Sequence, residues 1–282
     1  MARATSLRPR RGRRFNWGRI IIALVVAAFS LISYFGSSAF NPVTEETQFV
    51  SITPEQEIAL GLQAAPEMAR EFGGLDPNDE AQNHLDKVCR QLNSQSEVST
   101  TEWPIDCHLL ADPETINAFA LPGGQLFITQ ALYDQLQTEG QLAGVMAHEM
   151  GHVIARHSAQ QIAKQELTQG LTGAAVLATY DPQNPSSART AQMALLIGQL
   201  VNMKFGRDDE LQSDNLGVQF MSEAGYDPRS MIDVMNVLAQ SSEGARPPEF
   251  FSTHPNPDNR IARIEEAIAE QFPNGVPEDL TP

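Results

Sequence analysis

Cysteine is scarce. The 282-residue chain holds two, Cys89 and Cys107, and no CxxC pair. That excludes a cysteine-built zinc finger or ribbon. His108 follows Cys107 in an expected strand and points to the opposite face, so the two do not combine into a site. Basic residues are scarce beyond position 19. Residues 1–19 carry seven arginines and no acid, while the remainder holds 12 Lys+Arg against 35 Asp+Glu, a net charge of −23. So acidic a body excludes nucleic acid as a partner. Long apolar runs are lacking in the second half. Residues 171–180 and 191–205 are apolar but divided by a polar decapeptide, and neither reaches the roughly 18 residues of a membrane span. Both are expected to be core helices, with a membrane-dipping or substrate-facing patch as the alternative.

What is present begins with one candidate span. Residues 20–40 contain no charge and as a helix would cover about 30 Å, the thickness of a bilayer core. The arginines before it predict that residues 1–19 stay cytoplasmic and the rest is exported. Two readings are open: an uncleaved signal anchor, or a signal peptide cut after Ser37-Ser38-Ala39. Export makes a disulfide between Cys89 and Cys107 a reasonable expectation. Two buried free thiols are the alternative.

Residues 41–53 read as a linker and residues 54–273 as one domain; 41% of the chain is hydrophobic, enough for a sizeable core. Thr53, Pro54 and Gln56 form a capping signature, predicting a helix to about Phe72 that stops at Gly73-Gly74. Asp76-Pro77 is expected to open a second helix, to about Leu92. Two short strands joined by Pro122-Gly123-Gly124 fit residues 117–129. Thr129 then caps a short helix, and Thr138 or Glu139 begins a long one. Gly225 ends a later helix, Asp227-Pro228 starts another, and Asn256 and Pro257 start the last, to about Gln271. Residues 274–282 are expected to be disordered.

The long helix carries His148-Glu149-Met150-Gly151-His152. Each helical residue advances by about 100°, so His148 and His152 stand one turn apart on one face and can reach one metal ion. Glu149 falls on the flank of that face, poorly placed as a ligand and well placed to hold a water at the metal. Two imidazoles, an open position and a base are the elements of zinc-assisted hydrolysis. Leu142, Met146, Met150, Val153 and Ile154 form an apolar stripe, and Arg156 shares the histidine stripe. His157 projects into the apolar stripe as a structural residue. Two surface histidines are the plain alternative.

A catalytic zinc needs a third protein ligand. Ala155 and Ser158 occupy the positions where metzincins carry Gly and His, which removes that class. Glu166 is poorly spaced. Glu210, Asp214 and Gly217 share one helical face. Glu210 can bind zinc, Asp214 can orient a ligating imidazole through its far nitrogen, and Gly217 can let two helices approach. A solvated acidic face is the other reading. His254 stands in a proline-bounded loop, with three readings: a donor to a tetrahedral intermediate, a resting occupant of the open zinc position, or a surface residue. The strand of Asn117, Ala118, Phe119 and Ala120 is either an ordinary hairpin arm or an edge that accepts an extended peptide.

Four ordered motifs carry a resemblance. They are Asn117-Ala118-Phe119-Ala120 with its Pro-Gly-Gly turn, the run from His148 to His157, Glu210-x-x-x-Asp214-x-x-Gly217, and Ser252-Thr253-His254-Pro255. Together, over residues 54–270, they resemble the HtpX-like, Oma-like and prenyl-protease-type zinc metallopeptidases of the gluzincin type. The compact, single-domain bacterial envelope members are the nearest in form. Ser213 stands where many members have Ala, and the extra membrane helices of the prenyl-protease branch and the tetratricopeptide tail of BepA-like members are not evident. The resemblance implies a mostly helical α+β fold with a small sheet beside the metal helix. It implies one zinc ion on His148, His152 and Glu210, Glu149 as base, Asp214 behind a ligand, His254 near the metal, and residues 117–120 holding substrate. The implied activity is endoproteolysis of unfolded or misassembled envelope proteins, from an inner-membrane anchor or free in the periplasm. The second function class is a periplasmic chaperone or assembly factor whose metal site is regulatory or vestigial.

Overall fold

The computed structural model describes residues 17–179, 206–241, 248–254 and 259–282. The apolar N-terminal segment forms helix α1, Trp17–Gly36, the one helix among the described residues long and apolar enough to cross a membrane. It ends earlier than the expected residue 40 because Ser38–Asn41 is already strand β1. β1 pairs antiparallel with β2, Glu46–Phe49. The expected linker at 41–53 is therefore largely a hairpin. Its polar residues turn inward: the Asn41 amide donates to Ile154 O at 2.7 Å and the Gln48 amide to Ala155 O at 2.9 Å. Those are helix-terminal carbonyls that need donors from outside the helix.

Helix α2, Pro54–Glu71, starts with the expected reciprocal capping box of Thr53 and Gln56. Helix α3, Asp79–Gln95, begins three residues later than expected, because the Asn78 side chain accepts from Glu80 and Ala81 N–H. Strand β3, Asp106–Leu110, pairs parallel with β5, Gln125–Thr129, which pairs antiparallel with β4, Ala118–Leu121. The order β3-β5-β4 leaves β4 at an edge. Thr129 caps the short helix α4, Gln130–Tyr133.

Helix α5, Glu139–Ile154, is the buried centre of the domain. Thr138 caps it, as expected. The main core packs Leu142, Met146, Met150 and Val153 of α5 against Leu85 and Leu92 of α3, Leu126 and Ile128 of β5, and Phe220 and Met221 further on. The expected continuation of α5 through His157 is broken: Arg156 has φ 55, and α6, His157–Thr179, starts a new direction. The break is held by tertiary contacts. Arg156 Nε donates to Glu57 Oε1 at 2.7 Å and its Nη2 to Ile52 O at 3.0 Å.

Residues 171–179 do not enter the core as expected. They continue α6, which packs against α1; residues 191–205 lie outside the described residues. Helix α7 is Gly206–Glu223 and helix α8 is Ser230–Ser241, the latter beginning after Asp227 and Pro228 rather than at them. A short α9, Phe250–Thr253, precedes His254, and α10 is Arg260–Gln271. The expected start at Asn256 and Pro257 lies outside the described residues.

The tail expected to be disordered is docked. Pro282 O accepts from Gly140 N at 2.9 Å, and Thr281 exchanges bonds with Gly225 and Asp227. The first N–H groups of α5 lack partners within the helix, and the tail supplies one acceptor. Gly140 is required there, since a Cβ would stand 2.4 Å from the Pro282 carbonyl carbon.

Cys89 of α3 and Cys107 of β3, 18 positions apart in sequence, form a disulfide. Closing a loop of this size contributes about 3 kcal/mol in the chain-entropy account. Reduction is therefore expected to lower the melting temperature by roughly 6–12 °C. Calorimetry with and without a reductant measures it, and an unchanged transition would remove the bridge as a stabiliser.

Candidate metal centre

Two helices bring the charged residues together. α5 supplies His148 and His152 one turn apart, and α7 crosses it with Glu210 and Asp214. The crossing is close because Gly151 lacks a side chain: a Cβ there would meet Ser213 Oγ at 2.6 Å and Ser213 O at 2.9 Å. Gly217, expected to serve this purpose, is the looser of the two; its Cβ would stand 3.4 Å from His148 N. Ser213, in turn, donates to the His148 carbonyl.

His148 Nε2 lies 3.1 Å from His152 Nε2. Glu210 presents Oε2 at 3.4 Å from His148 Nε2 and Oε1 at 3.3 Å from His152 Nε2. His254 Nδ1 is 3.0 Å from Glu210 Oε1 and 3.4 Å from His148 Nε2. All four ligand atoms lie within 4.8 Å of one another. Zinc–nitrogen bonds of about 2.05 Å place tetrahedral donors roughly 3.3 Å apart, the spacing seen here.

Three further observations fit a divalent cation. Glu210 Oε2 and both oxygens of Glu149 are buried without a hydrogen-bond partner. Among the described residues, three buried carboxylates (Glu149, Glu210 and Asp214) face one guanidinium, Arg260. The hydrogen bonds also direct the imidazole lone pairs inward. His148 Nδ1 bonds Asp214 Oδ1 at 2.9 Å, freeing Nε2. On His152 the orientation passes through a chain. The Gln212 amide donates to Glu46 Oε2 at 2.8 Å, which turns its oxygen to His157 Nε2 at 2.9 Å. His157 Nδ1 then accepts from His152 Nδ1 at 2.9 Å, and His152 Nε2 is again the free atom. These tautomers follow from the bonding pattern.

Electrostatics agree. Burial and the Arg260 charge push His148 down, but hydrogen bonds to Asp214 and Glu210 outweigh them and raise its pKa to about 9. Burial works to raise Glu210, yet the three imidazoles hold it far below the usual carboxylate range. Burial raises the Glu149 carboxyl, with His254 and His148 opposing. His152 is lowered, first by burial.

The residues expected from sequence thus converge in part. His148, His152, Glu210 and His254 form the cluster; Asp214 stands behind His148; Glu149 Oε1 is 3.4 Å from His254 Nε2. His254 stacks on Phe250, with ring centres 4.5 Å apart. Of residues 117–120, Asn117 and Ala118 are buried, Ala118 in the main core, and Asn117 N donates to Thr129 Oγ1 while Asn117 O accepts from Thr129 Oγ1 and N. Ala120 shares a cleft with Leu121, His152, Val153 and Arg156. Phe119 points away, stacked on Phe127 at 5.0 Å. Cys89 and Cys107 lie in the core.

Arg260 was not foreseen. It is 2% exposed and grips Asp214 with two bonds, Nε to Oδ2 at 2.7 Å and Nη2 to Oδ1 at 2.8 Å. Its Nη1 reaches Glu210 Oε2 at 3.3 Å. A signal existed: Arg260, Ile264 and Ile268 form one buried stripe of α10, and an arginine heading an apolar stripe calls for a buried acid.

Residues 79–268 match peptidase family M48. The chain is 29% identical over 263 residues to the mitochondrial metalloendopeptidase OMA1 of Schizosaccharomyces pombe, covering 92% of this chain and 74% of that protein. It is 34% identical over 173 residues to the beta-barrel assembly-enhancing protease of Escherichia coli K12, covering 59% of this chain but only 35% of that protein. The OMA1 metalloendopeptidase of Danio rerio is 26% identical over 243 residues, 82% of this chain and 50% of its own length.

Proposed function

The chain belongs to peptidase family M48, and on that premise we propose that it is a zinc-dependent endopeptidase of a bacterial cell envelope. Its substrates are misfolded or misassembled envelope proteins, and its domain is held on the periplasmic side of the inner membrane by α1. Metalloendopeptidase activity follows from the family and its relatives. The observation that carries the zinc reading is the convergence of His148, His152 and Glu210 at tetrahedral spacing, with the Glu149 carboxylate buried alongside without a hydrogen bond. The beta-barrel assembly-enhancing relative supports the envelope assignment.

When bound, the metal supplies Lewis acidity, making water nucleophilic near neutral pH and polarising a carbonyl. The residues do the rest. Asp214 and the His157–Gln212 chain hold the two imidazoles in the ligating tautomer. Glu149 takes a proton from the attacking water and returns it to the leaving amine nitrogen. The free edge of β4 offers backbone groups to an extended substrate beside His152. His254 Nδ1 would be within reach of the same ion, and we infer that it fills the position substrate must enter, as a latch in the resting state.

The full chain in detergent should cleave casein, stop on addition of 1,10-phenanthroline and recover with stoichiometric zinc. His254→Ala should cleave several-fold faster. A rate that instead falls makes His254 a donor to the intermediate. Absence of cleavage by both proteins, with zinc bound, would overturn the peptidase reading in favour of a holding factor.

A further inference from the structure

Helix α6 connects the metal centre to the anchor. It starts at His157, whose ring orients His152, and runs antiparallel to α1. Ala163, Glu166 and Leu167 border one cavity with Ser33, Tyr34 and Ser37. One and a half turns deeper, Gly170 lies so close to Ser30 that a Cβ would stand 2.1 Å from its hydroxyl. The facing stripes carry small residues: Ala23, Ala27 and Ser30 on α1, and Ala163, Gly170 and Ala174 on α6. Such residues let helix backbones approach where no hydrophobic effect drives them together.

Counting along the helices gives depth. Ser30 is six residues from the Gly36 end of α1, about 9 Å, and Thr179 is nine residues beyond Gly170, about 14 Å. If α1 crosses the bilayer, Thr179 lies roughly 23 Å below the surface marked by Gly36, well inside a hydrocarbon layer of about 30 Å. The composition of α6 changes at the corresponding place. Lys164 and Glu166 are its last charges, and residues 167–179 have none. Beyond Ala163 the helix leaves the domain core; Leu177 is 44% exposed and Ala175 and Ala178 are exposed beside it. Apart from Gln169, the exposed residues of α6 beyond Leu167 are apolar or glycine, at the same level as the exposed apolar face of α1.

We propose that α6 enters the membrane beside α1, so that lipid hydrocarbon covers its exposed face from Leu167 to Thr179. The proposal rests on α1 being a span. The described residues from Leu167 to Thr179 cover about 20 Å and enter the layer as a partner of α1. The geometry also sets the height of the metal centre: ten residues separate His157 from Leu167, about 15 Å. The centre is then held close above the membrane surface and meets protein segments that emerge from or lie along it.

Cysteine labelling tests this, because Cys89 and Cys107 are joined and silent. Gln161→Cys, Leu177→Cys and Val25→Cys each place one thiol at an exposed position. The full chain is labelled with an impermeant maleimide in opened membranes, where both aqueous faces are accessible. Leu177→Cys and Val25→Cys should react roughly tenfold or more slowly than Gln161→Cys, and detergent should remove the difference for Leu177→Cys. Equal labelling of Leu177→Cys and Gln161→Cys with Val25→Cys protected would put α6 in water and overturn the proposal. Equal labelling of all three would remove the α1 span and the proposal with it. Protection of Leu177→Cys that persists in detergent would mean protein contact in place of lipid, and would also overturn it.

Discussion

Glu149→Gln should lower kcat by about 10²–10⁴-fold while metal content and melting temperature stay near those of the parent. The isosteric amide keeps the volume of a side chain that is 0% exposed. It removes the capacity to accept a proton. Both Glu149 oxygens are buried without hydrogen-bond partners, so no structural bond is lost, and the group lies outside the four-ligand cluster. Burial has already raised the carboxyl above its ordinary value, at a cost to the folded state that the amide does not carry. The variant is therefore expected to be equally stable or slightly more so. Metal analysis, calorimetry and steady-state cleavage on one preparation decide it. Retained turnover removes Glu149 as the base; lost metal makes it a ligand.

Arg260→Met should be the most destabilising single change at the site. It preserves bulk and apolar contact but leaves Asp214, 0% exposed, and Glu210, 2% exposed, without their cation. Removing one partner of a buried pair costs about 3–5 kcal/mol, mostly because the remaining charge is stranded. A second loss follows through Asp214. Freed from two guanidinium bonds, it no longer fixes His148, and disturbing such an outer partner weakens metal binding by about 10–100-fold. Adding Asp214→Asn to Arg260→Met removes the stranded charge and should recover part of the stability without recovering the affinity. Denaturant titrations and zinc competition on the singles and the double measure both. A stability loss under about 1 kcal/mol in the single variant would sink the argument.

The features legible in the sequence were those with short periods. His148 and His152 at one helical turn, Glu210 and Asp214 at another, the Thr53 box and the Pro-Gly-Gly turn all depend on residues within one turn of each other. The resemblance to known metallopeptidases added their order and brought in His254. What escaped were choices made by distant partners. Arg156 looked like one more helical residue; its positive φ is sustained by Glu57 and Ile52 O, about a hundred positions earlier. Residues 41–49 looked like a linker because their polar side chains carry no apolar alternation, yet Asn41 and Gln48 are buried for their amides. The run at 171–179 was apolar enough for a core but found α1 instead. Arg260 sits 112 positions from the imidazole it stands beside.

The two amides of the first hairpin have a wider meaning. The helix that bears both imidazoles is finished by donors lying 113 and 107 positions before its last carbonyls. The stretch that matches the family starts only at residue 79. The stretch matched by the family is therefore shorter than the unit that folds. Helix α1, the first hairpin and helix α5 are tied together by packing and by these two amides, and trimming the protein to residues 79–268 would remove the first two.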